Sequence, residues 1–125
     1  ISVSSELIEA DPQTWAQRAS ETLGVTVLLK GSRTFVAQDD YVIALPKAIP
    51  FLATAGSGDV LAGIIGALVA TNYIEILNDI SKLADIAATG AYIHNESALA
   101  ISQGAPIAPS TLHFAIPGVI AKIIK

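Results

Sequence analysis

The stretch of residues 53–63 constrains the fold more than any other part of the chain. It places Gly-Ser-Gly at positions 56–58 directly before a single carboxylate, Asp59, and an apolar run with helical spacing that continues to Ala70. Glycines allow backbone N–H groups to converge on an anion, and a helix N-terminus adds its partial positive charge. The pattern therefore predicts a tight turn and a helix over residues 57–70, with a phosphate-binding cradle where the helix begins.

Such a cradle suits the transfer of a phosphoryl group to a hydroxyl, because Asp59 can take the hydroxyl proton. We expect Gly58 to adopt a positive φ and to leave room for the phosphate. The simpler alternative is an ordinary helix start capped by Ser57 or Asp59. Two familiar phosphate motifs do not fit: a dinucleotide fingerprint needs a third glycine where Leu61 stands, and a P-loop needs lysine in place of Ile64.

A second informative stretch is residues 25–29, a continuous run of valine, threonine and leucine that predicts a strand buried on both faces. A helix is predicted just before it, over residues 12–23, with Asp11 as the N-cap. Helix followed directly by strand is typical of α/β folds. Ligands of open α/β sheets gather beyond the carboxyl ends of strands, so Lys30 is well placed for a phosphate, although an ordinary solvated lysine is the alternative.

The rest of the pattern predicts a hairpin, a loop and several helical segments. The entry, residues 1–8, is a strand or disordered, and the hairpin has strands at 33–37 and 41–45 around a turn at Asp39 and Asp40. A loop (47–55) leads into the glycine turn, and a connector or short helix (72–80) and a helix (81–102) follow the first long helix. The last helix (110–124) is expected to be capped by Ser110 and kinked at Pro117. Gly63 and Gly66 are expected to let their helix pack closely on a neighbour.

Composition limits the class of protein. The 125 residues amount to one domain, and 52% hydrophobic against 14% charged residues indicates surface buried against further sequence or a partner. A net charge of −4 argues against a nucleic-acid binder, and the lack of cysteine excludes disulfides. No run reaches the ~20 apolar residues of a membrane span and no signal peptide is visible, while the lack of cysteine is compatible with the cytoplasm. Because the chain has no methionine, we expect a fragment.

Two motifs, in this order, resemble those of a known family. Residues 52–63 resemble the anion-hole motif of the ADP/ATP-dependent NAD(P)H-hydrate dehydratases, which belong to the ribokinase-like superfamily. Residues 25–34 resemble a second motif of that family, a strand ending in Lys-Gly-x-x-Thr, and a weaker likeness continues through residues 90–94. Members usually carry Asn-Pro-Gly where Ile49-Pro50-Phe51 stands here, and the family's N-terminal half, with its His-Pro-x-Glu segment, is absent.

The resemblance implies the C-terminal part of a ribokinase-like three-layer α/β/α domain. It also implies an enzyme that repairs hydrated NADH or NADPH: ADP or ATP, with Mg²⁺ bridging its phosphates, phosphorylates the hydrate's hydroxyl, and phosphate then leaves. Asp59 is implied as the base that meets the substrate. The implied nucleotide- and phosphate-binding residues are Lys30, Gly31, Ser32, Arg33, Thr34, Thr54, Gly56, Ser57 and Gly58.

Two other functions stay open. A small-molecule kinase of the same superfamily, acting on a sugar, a vitamin precursor or a thiazole alcohol, would release a stable phosphate ester. A nucleotide-binding fragment that lacks the acceptor half would catalyse nothing. We expect the chain to act as a homo-oligomer or to need the missing N-terminal half, and to bind nucleotide weakly by itself, because a two-substrate transfer requires both reactants to be held together.

The histidines are interpreted as structural. His94 lies on a mostly apolar helix, where a histidine is more often packed and hydrogen-bonded than catalytic. His113 is a weaker candidate still, and the two are too far apart in sequence to suggest a zinc site.

Overall fold

A three-stranded antiparallel sheet lies at the centre of the computed structural model, which describes residues 2–125. The strands, in spatial and chain order, are β1 (Val27–Leu29), β2 (Phe35–Gln38) and β3 (Tyr41–Ala44). The β2–β3 turn is closed at Asp39, whose φ is 52°, so the predicted hairpin is confirmed.

Helices pack around the sheet, and of those in the described residues two precede it in the chain and four follow it. They are α1 (Ser5–Ala10), α2 (Pro12–Leu23), α3 (Ser57–Thr71), α4 (Tyr73–Asn78), α5 (Lys82–Ser102) and α6 (Ile116–Ile123), with 3₁₀ segments at Pro50–Leu52 and Pro109–Phe114. Helix α2 confirms its predicted boundaries, because Asp11 accepts a hydrogen bond from the N–H of Thr14 (3.2 Å) and Gly24 ends the helix at a φ of 64°. In the described part of the chain, no helix is both long and apolar enough to cross a bilayer.

Strand β2 separates two hydrophobic layers. Phe35 and Ala37 pack with Ala16 of α2 on one face of the sheet. Val36 points to the other face, where it joins a core formed with Leu61 of α3 and the alanine-rich face of α5. Alternate residues of a strand point to opposite faces, so this one strand fixes the order helix, sheet, helix. The predicted three-layer architecture is confirmed.

Ser20 ties α2 to the sheet. Its side chain is fully buried, and its hydroxyl donates to the carbonyl of Val25 (2.7 Å) while accepting the N–H of Asp39 (2.9 Å). One side chain therefore holds both the entry to β1 and the tip of the β2–β3 hairpin.

The prediction of a strand buried on both faces at residues 25–29 is wrong in its burial and its start. Strand β1 begins at Val27, is only half-buried, and pairs within the described residues with β2 alone. The strand buried on both faces is β2, because it lies between two strands as well as between two helical layers. The apolar run did not distinguish a central strand from an edge.

Two terminal predictions also need correction. The entry predicted as a strand or disordered (1–8) overlaps helix α1, which covers Ser5–Ala10, and Ile1 lies outside the described residues. The last segment is two elements, since the 3₁₀ segment Pro109–Phe114 precedes α6. Pro117 stands in the first turn of α6, where its missing N–H needs no acceptor, so it begins a helix instead of kinking one. The side chain of Ser110 makes no cap.

Close helix packing occurs at a different glycine from the ones expected. A Cβ added at Gly63 or Gly66 meets no atom within 4 Å, and both residues are exposed. At Gly90 of α5, an added Cβ would lie 2.6 Å from Cγ1 of Ile65 and 3.5 Å from Cδ1 of Leu68, both on α3. Gly90 is therefore the residue that allows α3 and α5 to approach closely at Ile65 and Leu68.

Candidate functional site

The glycine turn opens helix α3 as predicted. Gly56 is the N-cap, with a φ of 88°, and no side chain caps the helix, so the alternative of an ordinary cap by Ser57 or Asp59 is wrong. The N–H of Ser57 donates to the carbonyl of Thr54 (3.3 Å) within the turn. The next two N–H groups, of Gly58 and Asp59, lie in the first helical turn, where the helix itself offers no acceptors. They are the donors available to an anion.

The conformations within the turn differ from those expected. The left-handed residue is Gly56, and Gly58 does not have a positive φ because it lies in the first turn of α3. A Cβ added at Gly58 meets no atom within 4 Å, so the space beside it is open. The carboxylate of Asp59 is exposed at the same helix end. The open space and the exposed carboxylate therefore lie together.

The two predicted motifs meet at one backbone oxygen. The hydroxyl of Ser57, which is 1% exposed, donates to the carbonyl of Leu52 at 2.7 Å. The ammonium of Lys30, at the end of β1, donates to the same oxygen at 3.4 Å. The strand end and the glycine turn, separate in sequence, therefore form one site. The Ser57 hydroxyl is engaged inside the protein, so any ligand would meet its backbone rather than its side chain.

His94 of α5 supports the turn from inside. Its ring is 1% exposed, and Nε2 lies 2.9 Å from the carbonyl oxygen of Ser57. A carbonyl can only accept, so Nε2 carries the proton and donates. Burial lowers the pKa of His94, opposed by the hydrogen bond to Ser57 and reinforced by the Lys30 ammonium. The prediction of a packed, hydrogen-bonded histidine is confirmed.

A cleft of about 500 Å³ adjoins the turn. Its walls are the end of β1 and the loop before α3, namely Lys30, Gly31, Ser32, Lys47, Ala48, Ile49, Pro50, Leu52 and Ala53. The N–H of Ala48 donates to the carbonyl of Ser32 (2.9 Å), which holds the two walls together. Lys47 gives the cleft a second cation that the sequence analysis did not identify. The sequence feature that could have identified Lys47 is its position as the single charged residue between Pro46 and Pro50 in an apolar loop.

Two of the predicted binding residues lie away from this cleft, and a third lies in the glycine turn itself. Arg33 lines a neighbouring cleft of about 490 Å³, which Lys30, Gly31 and Ser32 also border from the other side. Thr34 is 3% exposed, and its carbonyl accepts the N–H of Leu45 (2.9 Å). Thr54 is exposed and shapes the turn through its carbonyl. The structure therefore brings Lys30 to Ser32 to the lysine-lined cleft, but not Arg33 or Thr34.

The acidic and histidine side chains of the described residues form no cluster suited to a metal ion. Among residues 2–125, no three His, Asp or Glu side chains form a group that could hold a metal ion. His113 is exposed, and its Nδ1 donates to the carbonyl of Ser110 at 2.7 Å, within its own 3₁₀ segment. The protein groups of the site are therefore two lysines, the helix N–H donors and one carboxylate.

The fold is the α/β fold of ribokinase-like proteins, and two solved structures share it. The solved structure of the Bacillus subtilis protein YxkO is similar to this chain, with a TM-score of 0.78 and 20% identity, over 96% of this chain and 43% of that one. The ADP/ATP-dependent NAD(P)H-hydrate dehydratase from Bacillus subtilis, co-crystallised with ATP/Mg²⁺ and soaked with CoA, gives a TM-score of 0.74 at 20% identity, over 92% and 41% of the two chains.

The sequence comparisons identify the family. The model of the NAD(P)H-hydrate dehydratase family matches residues 2–117, so the chain belongs to that family. The ADP-dependent (S)-NAD(P)H-hydrate dehydratase of Neisseria meningitidis is 37% identical over 106 residues, 84% of this chain. The bifunctional NAD(P)H-hydrate repair enzyme Nnr of Corynebacterium glutamicum is 33% identical over 129 residues, 92% of this chain. The chain spans 33% and 22% of the lengths of these two relatives.

Proposed function

We propose that this chain supplies the nucleotide-binding part and the base of an enzyme that dehydrates hydrated NADH or NADPH at the expense of ADP or ATP. The observation that carries the proposal is the meeting of Lys30 and Ser57 at the carbonyl of Leu52, which joins the two family motifs into one site. The names of the Neisseria and Corynebacterium relatives support the same reaction.

The cleft fits a nucleotide by its size and its charge. Lys30 and Lys47 face it from opposite walls, and cations placed in this way attract phosphates. The N–H groups of Gly58 and Asp59 add the helix N-terminus, which favours anions. The open space beside Gly58 leaves a phosphate room to approach the backbone. Gly31 and Ser32 complete the wall, while Gly56 and Thr54 shape the turn.

Asp59 is proposed as the base. Its exposed carboxylate follows Gly58 directly, so it lies beside the group that the N–H donors would hold. Bound nucleotide supplies the phosphoryl group that turns the hydrate's hydroxyl into a leaving group. Asp59 accepts the proton of that hydroxyl, while Gly58 and Lys30 stabilise negative charge during transfer. Mg²⁺ would arrive with the nucleotide, since no cluster of acidic or histidine ligands is found in the described residues.

The acceptor site is proposed to come from protein outside these residues. Large apolar side chains are exposed on α4 and near the C-terminus, including Ile74, Leu77, Phe114 and Ile124. Exposed apolar surface of this extent is typical of an interface. The rest of the domain, or a second copy in a homo-oligomer, would cover it and hold the hydrate. We also propose a cytoplasmic setting, in line with the NAD(P)H-hydrate repair for which the relatives are named.

The test is Asp59→Asn in a protein that includes the preceding part of the domain. We expect turnover to fall by roughly 10²–10⁴-fold, the usual effect of losing a general base. Nucleotide affinity should not weaken, because the change removes a negative charge beside phosphates. The assay follows the return of reduced-nicotinamide absorbance on addition of ADP and Mg²⁺ to NADH hydrate. Asp40→Asn, at the exposed hairpin turn, is the matched control.

Product analysis separates the alternatives. Accumulation of a stable phosphomonoester in place of restored NADH would indicate the small-molecule kinase. Near-normal turnover of Asp59→Asn would contradict the assignment of the base. The same assay with the 125-residue chain alone tests whether the acceptor half is needed, since full activity of this chain would show that the site is complete within it.

A further inference from the structure

The start of α3 lacks the usual means of fixing a helix N-terminus. Its N-cap is a glycine, and no side chain accepts the first N–H groups. Gly56 and Gly58 have more backbone freedom than other residues, so a turn built from them loses more conformational entropy on ordering. A site whose donors are the N–H groups of this turn needs them held in one direction. The helix's own hydrogen bonds begin at the carbonyls of Gly56 and Ser57, so any further restraint on this turn comes from a neighbouring element.

His94 supplies a restraint from the neighbouring helix. Its Nε2–H donates to the carbonyl of Ser57 at 2.9 Å, in a position that is 1% exposed. A buried hydrogen bond of this kind is costly to leave unmade, because the separated groups cannot turn to water. His94 belongs to α5, and Gly90, one turn earlier on the same helix, allows α3 to come close enough for this hydrogen bond.

The peptide plane carries this restraint to the anion site. The carbonyl of Ser57 and the N–H of Gly58 belong to the same planar unit and point in opposite directions. Fixing the carbonyl against His94, inside the protein, therefore fixes the N–H of Gly58, which points away from His94 at the exposed start of α3. A second hydrogen bond, from the Ser57 hydroxyl to the carbonyl of Leu52 (2.7 Å), prevents the residue from rotating as a whole.

From this geometry we infer that His94 is a positioning residue that aims the N–H of Gly58 at the phosphate of the bound nucleotide. The inference rests on the proposed function for the identity of the ligand, but the orientation of the peptide unit does not depend on any ligand. His94 does not touch the nucleotide or the reacting atoms. It acts through the Ser57–Gly58 peptide.

The test compares two substitutions of the 125-residue chain by NMR. His94→Leu removes the donor, whereas His94→Gln retains a side-chain N–H at a similar reach. We expect the Gly58 order parameter to fall from about 0.85 to below about 0.6 in His94→Leu, while the middle of α3 stays rigid. His94→Gln should restore most of the order. Ser97→Ala is the matched control, because Ser97 is buried on the same helix with no hydrogen-bond partner among the described residues.

Titration with ADP at millimolar concentration, followed at the Gly58 amide, gives the second readout. We expect His94→Leu to weaken ADP binding about tenfold relative to the parent, with His94→Gln and Ser97→Ala within about threefold. Equal order at Gly58 and equal affinity in all variants would overturn the inference. The inference would also be overturned if Ser97→Ala lost as much ADP affinity as His94→Leu and the loss in each variant matched its loss of folding stability. A residue that only packs would behave in that way.

Two further measurements keep the inference testable if a variant is unstable or the ligand is wrong. Long-range proton–nitrogen spectra of the parent chain show which ring nitrogen of His94 is protonated, and a proton on Nδ1 alone would contradict the inference without any mutation. If the parent chain fails to bind ADP even when the rest of the domain is present, the proposed function fails. The Gly58 order parameters of the ligand-free parent, His94→Leu and His94→Gln then decide the positioning role separately.

Discussion

Replacing Gly90 with alanine tests the contact that places the candidate site. Alanine favours a helix over glycine by up to about 1 kcal/mol, so the substitution would stabilise an isolated α5. In the folded chain, however, the new methyl would lie 2.6 Å from Cγ1 of Ile65, about 1 Å inside the usual carbon–carbon contact of 3.5–4.0 Å. Ile65 is β-branched and stiff at χ1, so Cγ1 cannot swing aside cheaply.

The two effects oppose each other, and the steric effect is larger. Overpacking a core by one methyl costs about 1–3 kcal/mol, and the gain in helix propensity offsets up to about 1 kcal/mol of this. We expect Gly90→Ala to lower the free energy of unfolding by about 1 kcal/mol. Relief of the clash moves α3 away from α5, which lengthens the distance from His94 Nε2 to the Ser57 carbonyl.

Urea unfolding gives the free energy, and Gly66→Ala is the matched control. A Cβ at Gly66 meets no atom within 4 Å and the residue does not have a positive φ, so alanine there should stabilise the chain by about 0.5–1 kcal/mol. The same substitution thus has opposite signs in two helices that face each other. If Gly90→Ala proves as stabilising as Gly66→Ala, the close approach of α3 and α5 is not as described, and the account of His94 loses its support.

Three further predictions follow from buried or charged groups. Ser20→Ala should lower the free energy of unfolding in urea by about 1–3 kcal/mol, because two backbone groups lose their partner, and a change below about 0.5 kcal/mol would contradict this. Lys47→Met should weaken ADP binding up to about fivefold by calorimetry, whereas Lys82→Met, on the far surface, should leave it unchanged. Burial, with the Lys30 ammonium, holds the pKa of folded His94 below its ordinary 6.5, so the unfolded chain takes up the proton first. Stability should therefore fall as the pH drops below about 6.5, and His94→Gln should remove that part of the profile.

The sequence by itself determined the features that depend on neighbouring residues. Asp11 and Gly24 mark the ends of α2 because a cap and a left-handed glycine act within one helical turn. The glycine turn and the helix that follows are likewise encoded by adjacent residues, as is the hairpin around Asp39. The resemblance of two motifs to one family was also visible in the sequence, and the match over residues 2–117 confirms it.

Tertiary structure decided every feature that depends on residues far apart in the chain. Which strand is central follows from strand pairing, so β2, not the more apolar stretch before it, is buried on both faces. Which glycine packs against a facing helix depends on what lies opposite, and in the described part of the chain this is Gly90, where an added Cβ would lie 2.6 Å from Cγ1 of Ile65. Lys47 and His94 join the site because a loop and a helix distant in sequence are folded against the turn. Periodicity and propensity describe one segment at a time, whereas contact between segments is set by how their surfaces pack, and for this reason the burial of residues 25–29 and the packing glycine were predicted wrongly.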